Sequence, residues 1–105
     1  MQAFALPVQP TASRSDVVTV RFEGALDALT VGDLRRMIVE VLAGRPRNVA
    51  VDLTRVTLLD SSGVGALVSL FKQLRAQGAK VRFIGAQGQP LAVLRLLKLD
   101  TIFGS

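Results

Sequence analysis

The stretch Leu58-Leu59-Asp60-Ser61-Ser62-Gly63-Val64-Gly65 decides how this chain is read. It stands between an apolar run and an amphipathic one, so it marks a strand-to-helix turn. Asp and Ser are favoured at such a turn because their side-chain oxygens accept orphan helix N–H groups. Gly63 and Gly65 let the backbone pass closely. The same residues permit a second reading. The positive end of a helix tolerates negative charge, so a phosphoryl group on Ser61 or Ser62 would cost the fold little. It would add about 1.5 to 2 negative charges and change any surface that meets it. On these residues alone, cap and modification site both stand.

Upstream of the turn, Asn48-Val49-Ala50-Val51-Asp52-Leu53 is an apolar run of strand length and predicts a central strand. Downstream, Val64, Leu67, Val68, Phe71 and Leu74 recur at helical spacing and predict a core-facing stripe. Gly78 falls where a helix ends, and Lys80-Val81-Arg82-Phe83-Ile84-Gly85 reads as the next strand. Residues 48–84 thus predict a strand–helix–strand unit with parallel pairing and a right-handed crossover.

Further out, Val17-Val18-Thr19-Val20-Arg21-Phe22 predicts an earlier strand that ends at Gly24. Thr30-Val31-Gly32-Asp33 reads as a capping box with Asp in place of Glu. Leu34, Met37, Ile38, Val41 and Leu42 then mark one helix face, stopped by Gly44 and Pro46. Pro90 suits a first helical turn, and Leu91, Val93, Leu94 and Leu97 predict a short third helix. Residues 1–15 read as an N-terminal extension, with an edge strand near Phe4–Val8. The expectation is one domain over residues 1–105, of α/β class: a small layer of about four mostly parallel strands with helices packed against it.

Composition narrows the chemistry. Half of the 105 residues are hydrophobic, enough for a core. Cysteine and histidine are absent, which removes thiolate metal sites, disulfides and the commonest general base. Asp60 beside Ser61 therefore completes no serine triad. No P-loop run occurs, and Gly63-Val64-Gly65 lacks the third glycine of a dinucleotide fingerprint. Asp27, Asp52 and Asp60 would bind Mg²⁺ only if the fold brought them together. No catalytic residue, metal ligand or cofactor is assigned.

The net charge of +5 raises nucleic acid as a partner. The arginines are scattered, and all five aromatics are Phe, mostly in apolar runs, which suits a core better than base stacking. An acidic protein partner is the better use for the excess, and no direct nucleic-acid contact is expected. No stretch approaches the ~20 apolar residues of a membrane span. The N-terminus has no basic region or long apolar stretch of a secretory signal. A cytoplasmic location follows as the expectation.

With these elements in order, the chain resembles the STAS family, the sulfate-transporter and anti-sigma-factor-antagonist domain, and most of all its stand-alone bacterial anti-sigma factor antagonists. The resemblance runs from about Val17 to Phe103. It is carried by Phe22-Glu23-Gly24-Ala25-Leu26-Asp27, by Asn48 to Val56, by Leu59-Asp60-Ser61-Ser62-Gly63-Val64-Gly65, by Gly78-Ala79-Lys80-Val81, and by Leu94, Leu97, Leu99-Asp100, Ile102 and Phe103.

The resemblance implies a partner switch without catalysis of its own. The unphosphorylated form binds an anti-sigma factor that is also a serine kinase, and so frees the sigma factor. The kinase phosphorylates the Ser after the Asp, here Ser61, and the complex parts. A PP2C-type phosphatase restores the hydroxyl. Asp27, Arg55, Leu59, Asp60, Ser62, Gly63 and Val64 are the expected partner-binding residues. A second implication is a structural subunit of a lipid-transporting ABC system or a stress-sensing scaffold, in which the turn is a contact and never carries phosphate. The chain also stops at Ser105, sooner than many members, which leaves an apolar tail that a homodimer would cover.

Overall fold

A computed structural model describes residues 8–10 and 17–102 of the chain. The expected edge strand near Phe4–Val8 and the tail at Phe103 lie almost wholly outside those residues. Four strands form one sheet in the order β1-β2-β3-β4. Strand β1 (Val8–Pro10) runs antiparallel to β2 (Val17–Leu26). Strands β2, β3 (Asn48–Leu59) and β4 (Lys80–Ile84) are parallel, with Val17, Asn48 and Lys80 on one row. Helices α1 (Val31–Ala43) and α2 (Ser61–Ala76) are the two crossovers; α3 (Gly88–Leu96) and the short α4 (Leu99–Ile102) follow.

Both crossovers step in the same direction across the sheet, so right-handedness puts α1 and α2 on one face. That face carries Val20, Phe22, Val49, Val51, Leu53, Val81 and Phe83, all buried. Helix α1 meets it with Leu34, Met37, Ile38 and Val41 of the expected stripe, while Leu42 is half-buried at the margin. Helix α2 meets it with Ala66, Leu67, Leu70 and Leu74. The expected stripe of α2 is rotated in part: Val64, Val68 and Phe71 are only half-buried at the core's margin. Its apolar arc is wider than one helical face, and Ala66 and Leu70 take the centre.

Two strand boundaries, one cap and one core residue differ from the sequence reading. Strand β2 does not end at Gly24 but continues to Leu26. Gly24 has φ +80°, and the register shifts on both sides of it, between Arg21 and Glu23 and between Gly24 and Ala25. It is a bulge, which bends a strand without ending it. Strand β3 likewise continues past Leu53 to Leu59, because its pairing with β2 resumes at Arg55, opposite Glu23. The capping box at Thr30 is not formed. Thr30 caps α1 by position, but its hydroxyl donates back to the Ala25 carbonyl, and Asp33 pairs with Arg36 instead. Leu97 is exposed beyond the end of α3 and is not a core residue.

Candidate functional site

The long parallel strands β2 and β3 end side by side, and the turns that follow them form one surface. Ligands and partners of open parallel sheets gather at these carboxyl ends. After β2 the chain makes the turn Asp27–Thr30. After β3 it passes through Asp60 into α2. Asp60 joins the two.

Asp60 is extended, with φ −109°, and is the N-cap of α2. Its Oδ1 accepts from the Ser62 N–H at 2.8 Å and the Gly63 N–H at 3.1 Å. Its carbonyl accepts the Val64 N–H at 2.9 Å, and its own N–H donates to the Leu26 carbonyl at 3.2 Å. The second carboxylate oxygen, Oδ2, accepts the Ala28 N–H at 3.3 Å, across to the other turn. One side chain thus starts the helix and holds the neighbouring turn against it.

That turn is closed by its own side chains. Asp27 Oδ1 accepts from the Leu29 and Thr30 N–H groups at 3.0 and 3.2 Å. The Thr30 hydroxyl accepts from the Asp27 N–H at 3.0 Å and donates to the Ala25 carbonyl at 2.9 Å. Thr30 is buried, and these bonds satisfy it. The turn holds Leu29 out into solvent, 93% exposed. Sequence reasoning did not pick out Ala28, Leu29 or Thr30 as part of the surface. The sequence signal there is Thr30, which reads as the start of a capping box toward Asp33.

Ser61 is the first residue of α2 and is exposed. Its hydroxyl has no hydrogen-bond partner among the described residues. The sequence reading invoked the helix dipole and free N–H groups at this helix end, and the structure narrows the set of free groups. Those of Ser62 and Gly63 are already held by Asp60.

The remaining expected residues divide. Val64 and Ser62 are half-buried flanks of the serine. Gly63 is buried, and a Cβ there would lie 2.2 Å from the Leu26 carbonyl oxygen. Its role is to let α2 touch β2. Leu59 is 1% exposed and belongs to the core, so as a surface contact it is corrected; its neighbour Leu58 is 42% exposed. Beyond the end of β4, the Gln89 side-chain amide replaces a strand partner, accepting the Leu59 N–H at 2.8 Å and donating to the Leu59 carbonyl at 2.9 Å. Arg55 is exposed on β3 opposite Glu23, with no ion pair to the Asp60 group.

Asp52 does not join Asp27 and Asp60. It lies mid-strand in β3 and pairs with Arg21 at 3.3 Å. Burial pushes its carboxyl pKa up, but hydrogen bonds from the Thr54 hydroxyl and N–H, with the Arg21 guanidinium, outweigh this and hold it below its ordinary value. Among the described residues no three acidic side chains stand close enough to share a metal ion. No helix of the described residues is long and apolar enough to cross a membrane.

Comparison with known proteins adds the following. The profile of the STAS domain matches residues 9–104. The anti-sigma-B factor antagonist of Staphylococcus epidermidis is 29% identical over 75 residues, covering 71% of this chain and 69% of that protein. Among solved structures, an anti-sigma factor antagonist from Mycobacterium paratuberculosis superimposes with a TM-score of 0.78 at 23% identity, over 92% of this chain and 81% of that one. The phosphorylated form of the Bacillus cell fate determinant SpoIIAA does so with a TM-score of 0.65 at 22% identity, over 90% and 86%. At these identities the structural likeness speaks for the fold.

Proposed function

This chain belongs to the STAS domain family, and from that premise we propose that it is an anti-sigma factor antagonist that works by partner switching. In this reading the surface of Ser61, Asp60, Asp27, Leu29 and Val64 docks an anti-sigma factor with serine-kinase activity. Docking frees the sigma factor. The kinase transfers the γ-phosphoryl of ATP to the Ser61 hydroxyl, and the complex dissociates. A PP2C-type phosphatase resets the switch. The chemistry belongs to the two partners; this chain supplies the hydroxyl and the surface.

The observation that carries the reading is the exposed, unpartnered hydroxyl of Ser61 directly behind an Asp that fixes both adjoining turns. Such a hydroxyl is accessible to a kinase, and its backbone is held in one place. The phosphate enters next to the fixed carboxylate of Asp60. A partner face complementary to a neutral hydroxyl then meets a dense negative charge, and like-charge juxtaposition at an interface costs several kcal/mol. The fold itself is little disturbed, because no hydrogen bond within the described residues is lost when the Ser61 oxygen is esterified.

The test is intact mass after incubation with ATP and the cognate kinase, for wild type and Ser61→Ala. One added phosphate on the wild type and none on the variant is the expected result. Ser61→Ala binds the kinase constitutively and Ser61→Asp binds it poorly. A stable complex with no phosphate on either protein would refute the switch and favour the structural-subunit reading.

A further inference from the structure

The face of the sheet that α1 and α2 leave uncovered has a charge pattern of its own. Side chains alternate along a strand, so the residues opposite the core are Val17, Thr19 and Arg21 on β2, Asn48, Ala50 and Asp52 on β3, and Lys80, Arg82 and Ile84 on β4. The Arg21–Asp52 pair spans this face and offsets the charge of Asp52, and Glu23 lies further along β2, toward its other end. Lys80 and Arg82 are exposed and have no ion pair among the described residues.

More cations converge on the amino ends of the same strands. The Lys80 N–H donates to the Arg47 carbonyl at 2.8 Å, which brings the loop between α1 and β3, with Arg45 and Arg47, alongside β4. Both arginines are exposed. Neither that loop nor the segment from Leu70 to Ile84 contains an acid. Between these groups the sheet has a hollow of about 320 Å³ lined by Val17, Asn48, Val49, Ala50, Lys80, Val81 and Arg82. The small side chain of Ala50 leaves the depression, and its lining is mainly apolar. This end of the sheet is on the order of 30 Å from Ser61, the length of β3.

We propose that this end of the sheet is a second docking surface, one that takes an acidic extended segment of a protein partner. An aliphatic side chain of the segment fills the hollow over Ala50, and flanking carboxylates meet Lys80, Arg82 and Arg47. The choice of a protein over other anions follows from the surface. The Phe rings of β2 and β4 point into the core, so the open face offers no stacking platform for bases. A bilayer surface presents no single side chain to occupy a bounded hollow. The site is separate from Ser61, and the two surfaces can be occupied at once.

The experiment uses the full chain and a short fluorescein-labelled peptide of glutamates around one leucine. Fluorescence anisotropy is read for wild type and for Lys80→Glu/Arg82→Glu, with thermal melting of both. A glutamine version of the peptide, a short DNA duplex and phosphatidylglycerol vesicles are run beside it. The expected result is saturable binding of the glutamate peptide that weakens as salt rises and falls at least about tenfold on charge reversal. Lys80→Gln/Arg82→Gln, which removes charge without adding repulsion, gives a smaller loss. Phosphorylation of Ser61 leaves the affinity unchanged. The proposal is overturned by equal binding to wild type and the reversed variant, by no binding to wild type, or by tighter binding of DNA or vesicles than of the peptide.

Discussion

Two glycines in the first turns of α2 have opposite predicted responses to the same substitution. Gly63 is buried where the helix crosses the end of β2. A Cβ on it would stand 2.2 Å from the Leu26 carbonyl oxygen and 2.9 Å from the Leu26 Cβ. The obstruction is backbone, which cannot rotate away, and the same carbonyl accepts the Asp60 N–H. Gly63→Ala must push α2 off the strand. Overpacking of this kind costs about 1–3 kcal/mol, of which the helix-propensity gain from Gly to Ala returns at most ~1 kcal/mol. Gly65 is exposed two residues further on, and its added Cβ meets nothing within 4 Å. There the propensity gain acts alone, and Gly65→Ala stabilises by about 0.5–1 kcal/mol. At roughly 4 °C or more per kcal/mol for a domain of this size, Gly63→Ala lowers Tm by several degrees and Gly65→Ala raises it by a few. Thermal melting followed by circular dichroism at neutral pH measures both. If Gly63→Ala melts at or above the wild-type temperature, the close approach of α2 to Leu26 is wrong, and with it the account of what positions Ser61.

Three further outcomes follow from the same geometry. Asp60→Ala removes the cap and the tie to Ala28 together and costs about 1–2 kcal/mol in urea unfolding. Asp60→Asn keeps an oxygen for the cap while its amide cannot accept the Ala28 N–H, so it loses less stability but speeds hydrogen exchange at Ala28. Equal losses in the two variants would contradict the division of labour between the oxygens. Leu29→Ser leaves Tm unchanged, because the side chain is 93% exposed, yet lowers affinity for the anti-sigma factor by about tenfold, the effect of one apolar side chain withheld from an interface; an unchanged titration calorimetry isotherm would remove Leu29 from the surface. Asp52 has a depressed pKa in the folded chain. Its contribution to stability is therefore complete above the unfolded value, about pH 4, and is lost as the pH falls through the lower folded value. The stability gap between wild type and Asp52→Asn should close over that acid range, and a gap that stays constant from neutral to acid pH would refute it.

The chain's own order of residues determined the architecture. Apolar runs of strand length alternating with helical stripes dictate parallel pairing and right-handed crossovers. Asp60 is legible as a cap, and Gly78 as a helix stop, because each acts on backbone a few residues away. The structure bears out both, with Asp60 holding the Ser62 and Gly63 N–H groups and Gly78 at φ +86°. What the tertiary structure alone decided are relations between distant parts of the chain. Gly24 reads locally as a strand end, but the pairing of β2 with β3 carries the strand through it as a bulge. Leu58 and Leu59 are identical in sequence terms, and only the packing of the strand end buries one and exposes the other. Asp60 reaches Ala28, 32 residues earlier, and Gln89 reaches back 30 residues to Leu59. Local propensity covers one turn of helix or one pair of strand residues. Which side chains become a surface depends on where separate turns meet, and that is set by how the sheet closes its pairing and where α2 comes to rest against it.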